Sequence, residues 1–248
     1  MKNNFFYKKS SSNIYKSPSK VSDVTSQIIY GEKFNIISKN KNWLKIKTSF
    51  DDYIGYIKNE NYLNNFKPTH KIFVLKASIF DKAKRKTKYF LTFASKVSIL
   101  QKNKKFIEFE KNKWIKKTNI KKIHYIEKDY LKILKLFLNT KYIWGGKTYK
   151  GIDCSAILQL FFYYNNKFFP RDTNDQLKYS KSNKKIKKFK KGDVIFWKGH
   201  VAICIDGKRL IHAYGPEKKV IIMPINKTLE RIERTAKLIV KKVSSIKY

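Results

Sequence analysis

One cysteine and two histidines in the C-terminal half have the types and spacing needed for nucleophilic chemistry. Cys154 lies where the glycine-punctuated segment YIWGGKTYKGID changes to CSAILQLFFYYN, a run of helical length with an apolar face. A thiol in the first turn of a helix meets unpaired backbone N–H groups and the positive end of the helix dipole, which favour the thiolate. The position therefore predicts a nucleophile, and a small buried cysteine without a chemical role is the alternative.

A thiolate nucleophile needs a base within hydrogen-bond reach, and the base needs a group that orients it. His200 and His212 flank a predicted hairpin that turns near Gly207. A two-residue turn would place the two imidazoles on opposite faces of the sheet. A three-residue loop that ends at Gly207, in the left-handed conformation, instead pairs Cys204 with Lys208 and sets His200 opposite His212. This second register predicts a base, His200, that is oriented by His212.

The same three side chains also suit a zinc site, because one cysteine and two histidines are an acceptable catalytic ligand set. We keep that site as a rival and expect no metal and no other cofactor. The second cysteine, Cys204, lies inside the predicted strand HVAICI and is expected to pack as a small core residue. Without a CxxC pair, the sequence predicts neither a disulfide framework nor a zinc finger.

The formal net charge of +39 suggests a nucleic-acid partner, but the composition argues against a specific one. Only five of the 57 basic residues are arginine, the better bidentate reader of phosphate and guanine, and the lysines are spread over every segment. We therefore expect a solvated basic surface and no specific nucleic-acid partner. Hydrophobic residues make up 42% of the chain, which excludes wholesale disorder.

No apolar run approaches the roughly 18 to 20 residues needed to span a bilayer, so no membrane insertion is expected. The N-terminal segment MKNNFFYKKSSSN lacks the apolar core of about 7 to 15 residues that a signal peptide requires. Together with an unpaired thiol, this predicts a cytoplasmic protein.

Short stretches of alternating apolar and polar residues fill the first half of the chain, and a helical stripe begins at Tyr130. These patterns predict an α+β protein with four segments. They are a polar tail at 1–12, two small all-β units at 13–66 and 67–123, and a helix-then-sheet domain at 124–248.

Five motifs in the last segment, YIWGG, GIDCSA, PRDTNDQ, GDVIFWKGHVAI and LIHA, resemble those of the NlpC family of papain-like cell-wall cysteine peptidases. The two β units, with YGE, NWLKI and DYIGYI, resemble the bacterial SH3-like β-barrels often fused to that family. The resemblance implies a papain-like catalytic domain with Cys154 as nucleophile, His200 as general base and His212 as third polar residue. Ala202 stands where the family usually has glycine after the catalytic His-Val, which does not affect the triad.

The resemblance also implies substrate-binding positions. Tyr142 of YIWGG would line the site, and Asp153 and Ser155 would flank the nucleophile and hold the substrate. Members with two SH3-like units imply an amine clamp in which Glu32 and Tyr53 act with Tyr142. A structural role, with Glu32 bracing the first barrel and Tyr53 in its core, is an equal alternative for those two residues.

The activity implied is hydrolysis of the bond between γ-D-glutamate and diaminopimelate or lysine in peptidoglycan stem peptides. The partners would be muropeptides with a free amino terminus, from which L-Ala-γ-D-Glu is released during cell-wall recycling. The alternative is a non-catalytic module that binds cell-wall polymer or nucleic acid through its basic surface.

Overall fold

The computed structural model describes residues 5–60, 62–181 and 188–246. The chain divides into two compact units. The first comprises Met1–Ile126 together with two short later stretches, Lys147–Tyr149 and Tyr163–Asn166. The second comprises the remaining stretches, which are Glu127–Gly146, Lys150–Phe162 and Lys167–Tyr248.

The described part of the first unit is built mainly from short β-strands. They are β1 (Phe5–Tyr7), β2 (Ser11–Tyr15), β3 (Val24–Ile29), β4 (Lys33–Asn40), β5 (Trp43–Thr48), β6 (Ile54–Lys58), β7 (Tyr62–Asn64), β8 (His70–Ile72), β9 (Lys76–Phe80), β10 (Lys86–Thr92), β11 (Lys96–Val97), β12 (Gln101–Lys102), β13 (Phe106–Glu110), β14 (Lys113–Lys116), β15 (Ile120–Lys122) and β16 (Lys147–Thr148). Their order is β3-β2-β6-β5-β4-β1-β7 in one sheet, β10-β9-β14-β13-β12 in a second and β11-β8-β15 in a third.

Alternation along the strands explains why these segments form sheets. In β5 the residues Leu44, Ile46 and Thr48 are buried, and the residues between them are partly exposed. Leu44 and Ile46 belong to a core built from the first sheet, and a second core includes Tyr30 and Ile72. Strands with one apolar face bury that face and leave the other to solvent.

Two expectations for this unit can be compared with the described strands. In the described residues the first sheet runs from β3 to β7 and the second from β10 to β12 without closing, so closed barrels are not confirmed. The predicted tail at 1–12 contains β1, which pairs with β4 and β7, and the start of β2. Phe5 and its neighbours are held because they pack on the first core, a contact that the polar composition of the segment conceals.

The second unit combines a five-stranded sheet with helices. Its described elements are α1 (Tyr130–Leu136), β17 (Gly151–Ile152), α2 (Cys154–Tyr164), α3 (Thr173–Tyr179), β18 (Asp193–Trp197), β19 (His200–Cys204), β20 (Arg209–Tyr214), β21 (Lys219–Pro224), α4 (Ile225–Ala236) and β22 (Lys242–Ser245). The last two residues of α2 group with the first unit. The sheet order is β21-β20-β19-β18-β22, with antiparallel neighbours.

Both faces of this sheet are covered, since all five residues of β18 are buried. One face forms a core with Ile225 and Ile232 of α4. The predicted helix in CSAILQLFFYYN and the predicted strand HVAICI are confirmed as α2 and β19, and the expected sheet consists of β18 to β22. Within the described ranges, no helix combines the length and the apolarity required to cross a bilayer.

Candidate active site

Cys154 is the first residue of α2, and the preceding Asp153 caps that helix. Oδ1 of Asp153 accepts the backbone N–H of Ala156 at 2.8 Å and the hydroxyl of Ser155 at 3.1 Å. A carboxylate that binds the N–H three residues on satisfies one of the orphan donors of a helix start. This cap explains why the helix begins at the cysteine.

The thiol of Cys154 lies against the segment that carries His200. Its Sγ atom is 3.9 Å from the carbonyl oxygen of Gly199 and accepts a hydrogen bond from the backbone N–H of Val201. A third neighbour is the hydroxyl of Thr173, also at 3.9 Å, at the start of α3. The two residues that flank His200 in the chain therefore both touch the sulfur.

His200 and His212 form the predicted pair, with 2.9 Å between Nε2 of His200 and Nδ1 of His212. His212 is completely buried, and its ring stacks on Tyr214 at a centroid distance of 4.6 Å. On its other side, Nε2 of His212 is 3.4 Å from the sulfur of Met223. The base candidate thus has an orienting partner whose own position is constrained on three sides.

The hairpin that joins the histidines has neither of the expected registers. Cys204 pairs with Leu210, and Gly207 does not have a positive φ. The physical reason is a turn built by Asp206, whose Oδ1 accepts the backbone N–H groups of Lys208 and Arg209 at 2.8 and 2.7 Å. The observed register differs from the expected one by two residues. Because side chains alternate with period two, such a shift keeps both histidines on one face.

Burial favours the neutral forms of the candidate nucleophile and base, whereas an ion pair between them would favour the charged forms. Burial raises the pKa of the Cys154 thiol to about 11, with the negative charge of Asp153 adding to the effect. It lowers the pKa of His200 to about 4. The helix-start argument predicted a lowered thiol pKa, so the structure reverses that expectation. At neutral pH the two groups are a thiol and a neutral imidazole, and the imidazole can accept the thiol proton.

Asp153 and Ser155 flank the sulfur as expected, but their polar atoms are held by Arg171. The guanidinium binds both oxygens of Asp153, at 3.0 and 2.6 Å, and the hydroxyl of Ser155 at 2.8 Å. Oδ2 of Asp153 also accepts the backbone N–H of Gly145. Arg171 is a site residue that our reading of the sequence missed. The sequence feature that could have identified Arg171 is its place in the motif PRDTNDQ, in a chain with only five arginines.

Tyr142 lies near the same centre. Burial raises the pKa of its hydroxyl, and the acidic groups of Cys154 and Asp153 raise that pKa further. Its backbone N–H donates to the carbonyl of Lys218, and it bridges to Ile152 just before the helix. The structure thus brings together six residues, which are Cys154, His200, His212, Tyr142, Asp153 and Ser155.

Glu32 and Tyr53 lie in the first unit, where both have local partners. The buried carboxylate of Glu32 binds the ammonium of Lys147 at 2.8 Å and the backbone N–H of Ile29 at 3.1 Å. The hydroxyl of Tyr53 donates to the carbonyl of Thr25 at 3.4 Å, and its ring packs on the first core. These contacts favour the structural alternative for both residues, and their role in an amine clamp stays a prediction.

The rival zinc site is disfavoured by the arrangement of the imidazoles. Nε2 of His200 and Nδ1 of His212 bind each other, so their remaining ring nitrogens point apart. In the described ranges, no three histidine, cysteine or acidic side chains converge in a way that could hold a metal ion.

Comparison with known proteins identifies two domains in the chain. The profile of the NlpC/P60 family matches residues 139–235, which include all six residues of the site. The bacterial dipeptidyl-peptidase SH3 domain matches residues 14–61. The chain carries an NlpC/P60 domain. It is therefore a hydrolase that carries an SH3 domain ahead of its peptidase domain.

Two relatives align with most of this NlpC/P60 peptidase. The γ-D-glutamyl-L-lysine dipeptidyl-peptidase of Bacillus subtilis (strain 168) is 23% identical over 238 residues, which cover 86% of this chain and 80% of the relative. Dipeptidyl-peptidase 6 of Lysinibacillus sphaericus is 24% identical, with 81% and 84% covered. The crystal structure of an NlpC/P60 family protein from Bacillus cereus ATCC 10987 has the same fold. Its TM-score is 0.79 at 18% identity, over 90% of this chain and 95% of that one.

Proposed function

We propose that this NlpC/P60 peptidase is a cysteine peptidase that hydrolyses the γ-D-glutamyl bond to diaminopimelate or lysine in peptidoglycan stem peptides. The observation that carries the proposal is the thiol of Cys154 against both residues that flank His200, with His200 bound in turn to His212. The name of the Bacillus subtilis relative specifies the γ-D-glutamyl-L-lysine bond, and both long relatives are named dipeptidyl-peptidases, which supports the proposed bond.

The proposed reaction has two stages with balanced protons. The sulfur of Cys154 attacks the γ-carbonyl carbon as its proton passes to His200, and the oxyanion is met by the backbone N–H of Cys154 at the helix start. His200 then gives that proton to the leaving amine of the diamino acid, which leaves a thioester on Cys154. In the second stage His200 takes a proton from water, hydroxide attacks the thioester, and the proton returns to sulfur.

His200 is neutral at pH 7, because burial lowers its pKa to about 4, and one nitrogen of a neutral imidazole has a lone pair that can accept a proton. His212 holds its ring plane and does not itself transfer the proton. Tyr142, Asp153 and Ser155 would shape the substrate side of the site. Asp153 and Arg171 neutralise each other, so this pair contributes hydrogen-bonding geometry more than net charge.

For the substrate we propose muropeptides with a free amino terminus, from which L-Ala-γ-D-Glu is released. Glu32 and Tyr53 are the candidates for binding the amine. In this role the carboxylate of Glu32 exchanges the ammonium of Lys147 for that of the substrate. We also propose that the enzyme acts in the cytoplasm on imported wall fragments. Recovery of the protein in an extracellular or periplasmic fraction would contradict that location.

The test is incubation of the purified protein with defined muropeptides, free or N-acetylated, and identification of the products by mass spectrometry. Cys154→Ala should abolish cleavage, whereas Cys204→Ala is the matched control and should retain it, because Cys204 lies inside the core of β19. Iodoacetamide should inactivate the wild type and the Cys204→Ala variant by labelling Cys154. Hydrolysis at the wild-type rate by Cys154→Ala would refute the proposal.

A second candidate function, binding of an anionic polymer, is favoured by one face of the first unit. On that face the ammonium of Lys58 lies over the ring of Trp43 at 5.4 Å, and that of Lys45 lies over Tyr56 at 5.9 Å. Such aromatic and basic surfaces bind wall polymers or single-stranded nucleic acid. Polymer binding that falls steeply with salt, with no thiol-dependent hydrolysis, would favour this function over catalysis.

A further inference from the structure

Both ring nitrogens of His212 have a partner inside the second unit. Nδ1 is 2.9 Å from Nε2 of His200, and Nε2 is 3.4 Å from the sulfur of Met223. The ring lies parallel to that of Tyr214, with an interplanar angle of 11°. The orientation of His212 is thus fixed, and its effect on His200 depends on which nitrogen carries the proton.

The contact with Met223 determines which nitrogen of His212 carries the proton. A thioether sulfur accepts a hydrogen bond but cannot donate one, so the contact is attractive only when Nε2 of His212 carries a proton. Burial lowers the pKa of His212 far below its ordinary value, and the positive charge of Arg231 lowers that pKa further. The ring is therefore neutral and holds one proton. That proton is on Nε2, and Nδ1 keeps a lone pair.

The lone pair on Nδ1 of His212 determines the state of His200. Two lone pairs facing each other at 2.9 Å would repel, so Nε2 of His200 must donate. His200 is also neutral, because burial lowers its pKa to about 4. Its single proton is then used in this hydrogen bond. Nδ1 of His200 is left unprotonated, and this is the nitrogen that can accept a proton from the thiol.

We propose that Met223 is a positioning residue that selects the tautomer of His212 and, through it, the tautomer of His200. The inference rests on the proposed roles of Cys154 as nucleophile and His200 as base. With the opposite tautomer, His212 would donate from Nδ1, and His200 would carry its proton on Nδ1. A histidine in that state cannot take the thiol proton through Nδ1.

The first experiment detects the tautomers without substrate. Histidine labelled with ¹⁵N is incorporated, and the ring nitrogens are observed by long-range ¹H–¹⁵N correlation at pH 7.5. The chain has four histidines, so His70→Gln and His124→Gln suffice to isolate the signals of His200 and His212. Both should be protonated at Nε2. A His212 that carries its proton on Nδ1 in the wild type would overturn the proposal.

The second experiment removes the acceptor. Met223→Leu keeps the size of the side chain but not its lone pairs, so the His212 signals should shift towards a mixture of tautomers. The value of kcat should fall about two- to fivefold at unchanged KM, the range for loss of one weak hydrogen bond. Met223→Glu, which supplies an acceptor-only group when ionised, should restore the Nε2-protonated tautomer.

Ile221→Val is the matched control, because Ile221 lies on the same strand opposite His212 and packs on the same core. The Ile221→Val variant should lose packing contacts, but the tautomers of His212 and His200 and the value of kcat should not change. Unchanged tautomer signals and unchanged kcat in Met223→Leu would refute the role of Met223. Because the spectra need no turnover, this failure is distinct from failure of the proposed peptidase activity, which is judged by Cys154→Ala.

Discussion

Asp153 and Arg171 form a bidentate ion pair in the interior of the second unit, with both side chains almost fully buried. The residue before the candidate nucleophile is therefore neutralised by a residue 18 positions further along the chain. The same carboxylate caps α2, so the start of the helix and the position of the thiol depend on one salt bridge. The first prediction follows from this dependence.

Arg171→Met should reduce the free energy of unfolding by about 3 to 5 kcal/mol, because it leaves the carboxylate of Asp153 buried without its counter-charge. The measurement is urea denaturation at pH 7. Arg209→Met is the matched control, since Arg209 forms a similar ion pair with Asp206 at 2.7 Å on the exposed hairpin. Arg209→Met should reduce the free energy of unfolding by less than about 1 kcal/mol. Equal losses in the two variants would show that burial of the first pair is not energetically important.

The second prediction concerns the ionisation of Cys154. With the thiol pKa raised to about 11 by burial, the rate of iodoacetamide alkylation should rise continuously between pH 6 and 9.5. At pH 7 it should be about two orders of magnitude slower than for a free thiol with a pKa of about 8.5. The rate is measured by mass spectrometry on Cys204→Ala, so that a single thiol is present. A plateau below pH 7 would instead demonstrate a thiolate–imidazolium pair.

Several parts of the site were predictable because they depend on local pattern. The apolar runs that became β18 to β21 have the length and alternation of strands, and α2 begins where glycines stop. The pairing of His200 with His212 was predicted although the loop was wrong. The reason is that the expected and observed registers differ by two residues, which leaves both side chains on the same face.

Other parts depend on tertiary packing that no local pattern contains. Arg171 contacts Asp153 only when the segment before α3 folds back on the start of α2. Met223 lies at the end of an apolar strand, where a methionine is expected to be an ordinary core residue. The raised pKa of the thiol follows from how much protein surrounds it, which the position at a helix start does not reveal. The same limit applies to α4, whose many charged residues hide the three apolar side chains that pack on the core, Ile225, Leu229 and Ile232.

The third prediction is a loss of stability in acid. Burial lowers the pKa of His200 from its ordinary value of 6.5 to about 4. The contribution of the neutral ring to the free energy of unfolding is therefore present above pH 6.5 and is lost as the pH falls towards 4. At pH 5 the loss amounts to about 2 kcal/mol relative to pH 7. The lowered pKa of His212 acts in the same direction.

Urea denaturation at pH 7 and pH 5 checks this effect in variants. Replacing both histidines by glutamine should reduce the difference between the two pH values, whatever it does to stability at pH 7. His124→Gln is the control, because His124 is exposed and lies outside the site. A double variant with the same pH difference as the wild type would show that the buried imidazoles do not cause the acid sensitivity.

The last prediction separates the two roles considered for Glu32. If the residue serves the fold, Glu32→Gln should reduce the free energy of unfolding by about 3 kcal/mol, because the ammonium of Lys147 remains buried without a partner. Adding Lys147→Met removes that charge and should recover most of the loss. The double variant then has a sound fold but no carboxylate, which makes it the right enzyme for testing the amine clamp.

Cleavage of peptides with free and N-acetylated L-alanine is compared in the wild type and in this double variant. A clamp at Glu32 predicts that the wild type prefers the free amine and that the double variant loses this preference, with alkylation of Cys154 unchanged. A preference that survives in the double variant would place amine recognition on other residues, because a buried ammonium needs a carboxylate partner and Glu32 would no longer supply one. Equal cleavage of both peptides by the wild type would make the enzyme an endopeptidase and leave Glu32 with the structural role that its bond to Lys147 supports.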